Sequence, residues 1–320
     1  MPERLPSNDY PLGSNEHAAY QSCLVLEALG SSCVVAYEAA MLKFIPQVVA
    51  RVLGYALRHS PSVEGKAHLV QEILDCNNNG EFLAGFKNPK ASVPTSLSIT
   101  TGNTAAAVAQ PTISSSKAKD LALARDNYRC TVSEIVDLVK VAASTSLGHI
   151  FGQSMMDHTA GVTRAARAKL EWAATAAAVI ERFAGIPILE ELNQNDIHRP
   201  ENTFTIADGL HAAFDRLSFS LCPIDESEDD NNTYEIHTHP PNRNASDAHG
   251  CNQRKNPLPD HRYFQLHHAC VTIAHLSGAG EVVEQLFRDM EDVKVLAEDG
   301  GSNHLLSLVL SSRLQALSVY

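Results

Sequence analysis

The sequence predicts an α+β protein that is predominantly helical. Apolar residues recur at three- and four-residue spacing from residue 16 to about residue 79, and again from about residue 259 to the end of the chain. This is the period of amphipathic helices. Between these flanks, two short runs rich in β-branched and aromatic residues, Tyr128–Val132 and Ile135–Val141, are typical of strands. We therefore expect a mixed central block between N- and C-terminal helical segments.

Local composition divides the chain further. Residues 1–15 are polar and Pro-rich and are predicted to be disordered, and residues 16–87 form the first helical region. Residues 88–116 contain Ser, Thr, Ala and Pro with almost no charge, which is typical of a linker, although weak strands remain an alternative there. The central block covers 117–222, a polar insert with a possible strand at 234–239 covers 223–256, and the C-terminal helical region covers 257–320.

The central block begins with a predicted helix at Ala118–Arg125, before the two strand-like runs. A helix with the lone tryptophan, Trp172, is predicted at 161–184. A shorter helix and a turn follow, covering 188–192 and 193–202. The last predicted elements are a helix at Ile206–Phe214 and a strand at Leu217–Leu221, against which 234–239 could pair.

Composition excludes some classes of protein. The chain has 320 residues and a formal net charge of −12, which argues against a polybasic nucleic-acid binder. The most apolar stretch is interrupted by charges, so no membrane span is expected, and the first residues lack the apolar core of a signal peptide. Seven cysteines without a CxxC pair suit reduced thiols. The expected location is intracellular, in the cytoplasm or nucleus.

Four polar residues of the central block stand out together. His149 follows the strand-like runs, and Asn202 precedes a predicted helix. On that helix His211 and Asp215 are four residues apart, so they share one face and can reach one divalent ion. Two strands followed by a helix with metal ligands form a ββα-metal arrangement.

At these residues the sequence resembles the HNH endonuclease domain, and more closely the HNH subfamily found in uncharacterised fungal proteins. The resemblance covers about residues 120–234, and its most specific parts are RDNYRC at 125–130, the His149-Ile150 dipeptide, and Asn202 followed by His211 and Phe214-Asp215. The segment LPDHRYFQLHHACVTIAHLSGAGE, at 258–281, is also similar to the flanks of those proteins.

The resemblance implies a role for each residue. His149 would be the general base that activates the attacking water, and Asn202 would hold the loop and the base in register. His211 and Asp215 would bind a single Mg²⁺, Mn²⁺ or Zn²⁺ ion. The implied activity is hydrolysis of phosphodiester bonds in nucleic acid, with DNA favoured over RNA. The central block carries a net charge of only −2, so most of the acidity lies outside it.

The sequence departs from the family at two points. Many relatives carry a metal ligand immediately before the base, where this chain has Gly148, and the CxxC pairs that bind structural zinc in many relatives are missing. Cys130 is therefore expected to be a buried strand residue. Two alternatives remain open: an inactive HNH-like scaffold for protein–protein contacts, and a DNA-binding module without catalysis.

A second metal hypothesis concerns the polar insert. His237, His239, His249 and Cys251 together offer three imidazoles and a thiol, which is a possible zinc ligand set. The competing interpretation is a solvated loop. The His267-His268 pair and His275 lie on a predicted helix and are expected to pack or face solvent.

Overall fold

The computed structural model describes residues 2–30, 46–78, 113–135, 145–152, 177–192, 194–224, 233–238, 248–249 and 257–281. Within these ranges the chain is mixed α and β and mostly helical, as predicted. The helices are α1 (Asn15–Gly30), α2 (Pro46–Arg58), α3 (Val63–Asn78), α4 (Ser115–Arg125), α5 (Ile188–Glu191), α6 (Asp208–Asp215) and α7 (His261–Ser277), with residues 177–184 also helical. The strands are β1 (Thr145–His149), β2 (Thr203–Ala207), β3 (Phe219–Pro223), β4 (Thr233–Thr238) and β5 (Ala248–His249).

The N-terminal helices share one apolar core with the C-terminal helix. Buried side chains of α1, α2 and α3, among them Tyr20, Leu57 and Ile73, pack with Ala269 and Ile273 of α7. Pro46 begins α2. Proline is favoured at a first helical position because that position needs no donor.

The predicted disorder of residues 1–15 differs from the structure. Residues 2–14 lie against this helical layer, and Leu5 is buried in its core. The backbone N–H of Glu3 donates to the carbonyl of Leu276 at 2.8 Å, and the hydroxyl of Tyr20 donates to the carbonyl of Pro6 at 3.0 Å. Composition did not predict that this segment is ordered, because a few long-range hydrogen bonds and one buried leucine hold it in place.

The segment after α4 is a turn where the sequence predicted a strand at Tyr128–Val132. Asn127 and Tyr128 have φ values of 53° and 57°, and the N–H of Tyr128 donates to Leu123 O. This left-handed ending satisfies a carbonyl at the end of the helix. Cys130 is buried as expected, but it lies at this turn, where its sulfur accepts a hydrogen bond from Ala207 N–H. Most of the second predicted run, 135–141, and Trp172 lie outside the described residues.

β1 and β2 pair antiparallel, with Thr145 opposite Ala207 and His149 opposite Thr203. The helix predicted at Ile206–Phe214 therefore begins two residues later, at Asp208, because Ile206 and Ala207 belong to β2. The burial pattern of β2 explains this, since Phe204 and Ile206 are fully buried in the central core.

A second sheet has the order β3-β4-β5, with β3 and β4 antiparallel. It matches the predicted pairing of 234–239 with Leu217–Leu221, displaced by one or two residues. Phe219, Leu221 and Tyr234 from this sheet join Phe204 and Phe264 in the central core. Within the described part of the chain, every helix is too short or too polar to cross a bilayer.

A buried ion pair joins these elements. Arg125, at the end of α4, is completely buried and binds the carboxylate of Asp126 through Nε at 2.7 Å and Nη2 at 3.0 Å. Its remaining donors reach the carbonyls of Pro200, Thr203 and Pro257. All five N–H groups of the guanidinium are therefore used. Asp126 also accepts from Thr205 N–H at 2.8 Å, so the pair ties α4 to β2 and to the start of the C-terminal segment.

Removal of one partner should be costly. Arg125→Met leaves Asp126 unpaired and buried and leaves three carbonyls without their donor, so we expect a loss of about 3–5 kcal/mol in the free energy of unfolding. Urea denaturation followed by circular dichroism measures it. Arg129→Met, at an exposed position of the segment RDNYRC (125–130), is the control and should lose far less free energy of unfolding. Equal stability of the two variants would contradict the assigned role of the pair.

Candidate active site

The candidate site lies where β1 ends, β2 begins and α6 packs beside both. β2 runs directly into α6, so the helix returns along the β1–β2 ribbon. The Nδ1 atom of His211, on α6, lies 2.9 Å from Ser146 Oγ on β1. This hydrogen bond fixes the orientation of the imidazole ring. The second ring nitrogen, Nε2, then lies on the side of Asp215.

His211 and Asp215 face the same side of α6. Their Nε2 and Oδ2 atoms are 3.7 Å apart, and the two side chains are 30% and 59% exposed. That separation is too long for a hydrogen bond and suits two ligands of one cation. The donor types, one imidazole nitrogen and one carboxylate oxygen, fit Zn²⁺ or Mn²⁺ better than Mg²⁺, which favours carboxylates.

His149 lies at the last position of β1 and is half-buried. Its Nε2 atom is 3.0 Å from Nδ1 of His198, so the two rings share one hydrogen bond. Burial, together with smaller contributions from the neighbouring His198 and His211, lowers the pKa of His149 to about 4. Burial also lowers the pKa of His198. Both imidazoles are therefore neutral at pH 7.

The sequence prediction missed His198. It lies in a 3₁₀ turn, Gln194–His198, which we expected to be a plain turn. Its position four residues before Asn202 is a weak signal, and its contact with His149 spans 49 residues of sequence. Only the fold brings the two rings together.

Asn202 is completely buried, and its amide holds two loops together. Its Oδ1 accepts from Phe151 N–H at 2.9 Å, and its Nδ2 donates to the carbonyls of Phe151 and Ile197 at 3.1 and 2.9 Å. These bonds connect the residues just after His149 to the turn that ends in His198. We expected Asn202 to precede a helix, but it ends a 3₁₀ turn, Pro200–Asn202, directly before β2.

Gly148 occupies a position with no room for a side chain. A Cβ atom there would lie 2.9 Å from Phe204 Cε1 and 3.1 Å from Ile206 Cγ2, and both of those side chains are fully buried. A metal-binding residue at 148 would displace the core of the ribbon. Packing of the ribbon therefore accounts for the glycine at this position.

Among the described residues, the group with three metal-type donors within 4.8 Å of one another is Cys222, His237 and His268, not the set around His211. His237 was part of the zinc set predicted in the insert, but its neighbours here come from β3 and α7. His239 and Cys251 lie outside the described residues.

No family model, curated protein or solved structure matches this chain. Its function must therefore be argued from the chemistry of these side chains.

Acid should weaken the fold through His149. Its pKa is about 4 in the folded protein, against 6.5 for an ordinary histidine, so the unfolded chain takes up the proton first as the pH falls. The stability that the neutral ring contributes is complete above pH 6.5 and is lost between pH 6.5 and about 4. Denaturant midpoints over this window should fall less steeply in His149→Gln than in the wild type. His68→Gln, at an exposed position of α3, should follow the wild-type curve; a His149→Gln curve parallel to the wild type would contradict the assignment.

Proposed function

We propose that residues 145–215 carry the active site of an HNH-type nuclease, which hydrolyses phosphodiester bonds in nucleic acid. The observation that carries the proposal is the arrangement of three polar residues around one unit of two strands and a helix, formed by β1, β2 and α6. His149 lies at the end of one strand, Asn202 joins the two loops before the next strand, and His211 on the following helix contacts the first strand through Ser146. The order of His149, Asn202 and His211 along the chain is the one that the motif resemblance uses, although the sequence predicts the two strands at 128–132 and 135–141 and not at β1 and β2.

His149 is suited to accept a proton from water. A general base must be unprotonated at the working pH, and burial keeps this imidazole neutral. In the hydrogen bond between His149 Nε2 and His198 Nδ1, one nitrogen donates and the other accepts. The contact orients the ring of His149 in either tautomer. The base role requires His149 Nε2 to donate to His198 Nδ1, so that His149 Nδ1 keeps the lone pair that accepts the proton from water.

His211 and Asp215 would hold one divalent metal ion. A bound cation would supply positive charge that offsets the negative charge gained by the phosphate during hydrolysis. Ser146 orients His211 for this task. The fully buried Asn202 has all of its amide hydrogen bonds directed at backbone atoms, so its role is to position the loop that follows His149.

A catalytically inactive scaffold is the alternative, and one observation favours it. Among the described residues, His211 and Asp215 are the two donors placed together here. A third donor cannot be introduced at Gly148 without displacing Phe204. Two donors bind a metal ion weakly. The overall charge of −12 also opposes tight binding to nucleic acid, because the net charges of the two molecules repel each other.

Nuclease assays test the proposal. With Mn²⁺ or Mg²⁺ at low salt, the wild type should cleave plasmid or single-stranded DNA, with RNA as the comparison substrate. His149→Ala should lower the rate by about 10²–10⁴-fold, which is the usual contribution of a general base. Because His149 is neutral down to a pH of about 4, activity should persist below pH 6.5. His68→Ala, outside the site, should cleave at the wild-type rate; cleavage that is unchanged in His149→Ala would refute the catalytic role.

Metal binding separates the nuclease from the scaffold. Calorimetric titration with Mn²⁺ should reveal a site that His211→Ala removes and that His149→Ala keeps, since His211 is assigned as a ligand and His149 is not. The titration should use a Cys222→Ser background, so that metal bound by the group of Cys222, His237 and His268 does not contribute to the signal. A protein that binds no Mn²⁺ and cleaves no substrate would favour the scaffold.

A further inference from the structure

A second group of metal-type donors lies outside the candidate active site. Cys222 on β3, His237 on β4 and His268 on α7 each place one donor atom within 4.8 Å of the other two. All three side chains are half-buried, so the group is near the surface but shielded. It joins the second sheet to the C-terminal helix.

Strand register explains how the three residues meet. Ser220 pairs with His237 and Cys222 pairs with Glu235, so these four side chains lie on one face of the β3–β4 ribbon. The alternate residues, such as Leu221 and Ile236, face the central core. α7 packs beside β3, and its His268 is brought to the polar face by a 2.9 Å hydrogen bond between Nδ1 and Ser220 Oγ.

The polar face contains a buried atom with no hydrogen bond. The Nε2 atom of His237 is inaccessible to solvent and has no hydrogen-bond partner among the described residues. A carboxylate oxygen of Glu235 lies 3.2 Å away but outside hydrogen-bond geometry. The ring of His237 also approaches that of His268, with 4.5 Å between the centroids. An unsatisfied buried nitrogen is costly, and an ion is one way in which such atoms are satisfied.

We propose that Cys222, His237 and His268 bind a zinc ion. One thiolate and two imidazoles are the borderline-soft ligands that Zn²⁺ prefers over the hard cations Mg²⁺ and Ca²⁺. Three protein ligands leave a fourth tetrahedral position for a water molecule or another donor. On the same face a carboxylate oxygen of Glu235 lies 3.2 Å from His237 Nε2. Ser220 orients His268 from outside the ligand set.

The zinc ion would act as a clamp. It would connect β3 and β4 to α7, the helix that contributes residues to both apolar cores. Metal that binds only the folded chain adds its binding energy to the stability of the fold. This site does not depend on the nuclease proposal, because it shares no residue with it.

Zinc content tests the site directly. Protein without a polyhistidine tag, dialysed against metal-free buffer, should retain about one zinc ion per chain by atomic absorption. Cys222→Ser, His237→Ala and His268→Ala should fall to near zero. Cys76→Ser, a half-buried cysteine on α3, is the matched control and should retain zinc, as should His211→Ala. Equal zinc in Cys222→Ser and the wild type, or no zinc in the wild type after incubation with Zn²⁺, would overturn the proposal.

A measurement on the wild type alone covers the case in which the variants do not fold. Zinc should protect the thiol of Cys222 from alkylation, because a metal-bound thiolate is shielded from the reagent. Mass spectrometry should show modification of Cys222 slowed by at least about tenfold with Zn²⁺ relative to chelator-treated protein. Cys76 should be modified equally under both conditions. Replacement by Co²⁺ should give a sulfur-to-metal charge-transfer band; unprotected Cys222 and the absence of this band would refute the site.

Discussion

The buried pair of Arg125 and Asp126 is the constraint on which the central block depends. A guanidinium can be buried only if its charge and all of its donors are satisfied. Here the carboxylate of Asp126 neutralises the charge, and three carbonyls take the remaining donors. Two of those carbonyls, of Pro200 and Thr203, flank Asn202. The pair therefore fixes the backbone from which Asn202 bridges the loops beside His149, and a surface position could not impose this geometry.

The C-terminal helix α7 is the second constraint, because it packs into both apolar cores. Tyr263, Phe264 and Leu266 belong to the central core, whereas Ala269 and Ile273 belong to the helical core. Its histidines differ in role along the same helix: His275 Nε2 donates to the carbonyl of Leu217 at 2.7 Å, and His268 reaches the polar face of the second sheet. α7 thus contributes to both cores and joins the helical flanks to the central block, and it also carries His268 of the proposed zinc group.

The two candidate sites use imidazole in different ways. At His149 a neighbouring imidazole and burial keep the ring neutral, and no carboxylate is recorded in contact with it among the described residues. This favours proton acceptance over charge pairing. At Cys222, His237 and His268 a thiol joins the imidazoles, which favours a soft cation. Asp215 of the first site is 59% exposed, whereas the three residues of the second group are half-buried.

Local pattern determined the helical flanks, the helix before Arg125, the placement of His211 and Asp215 on one helical face, and the pairing of β3 with β4. These features depend on residues that are close in sequence, because apolar residues repeat with a period of 3.6 in a helix and 2 in a strand. Tertiary structure decided the rest. The run at Tyr128–Val132 became a turn because a left-handed helix ending outweighed its β propensity, which depends strongly on context. His198 meets His149, and Cys222 meets His268, only because side chains 46 to 49 residues apart are brought together by packing, which no local spacing encodes.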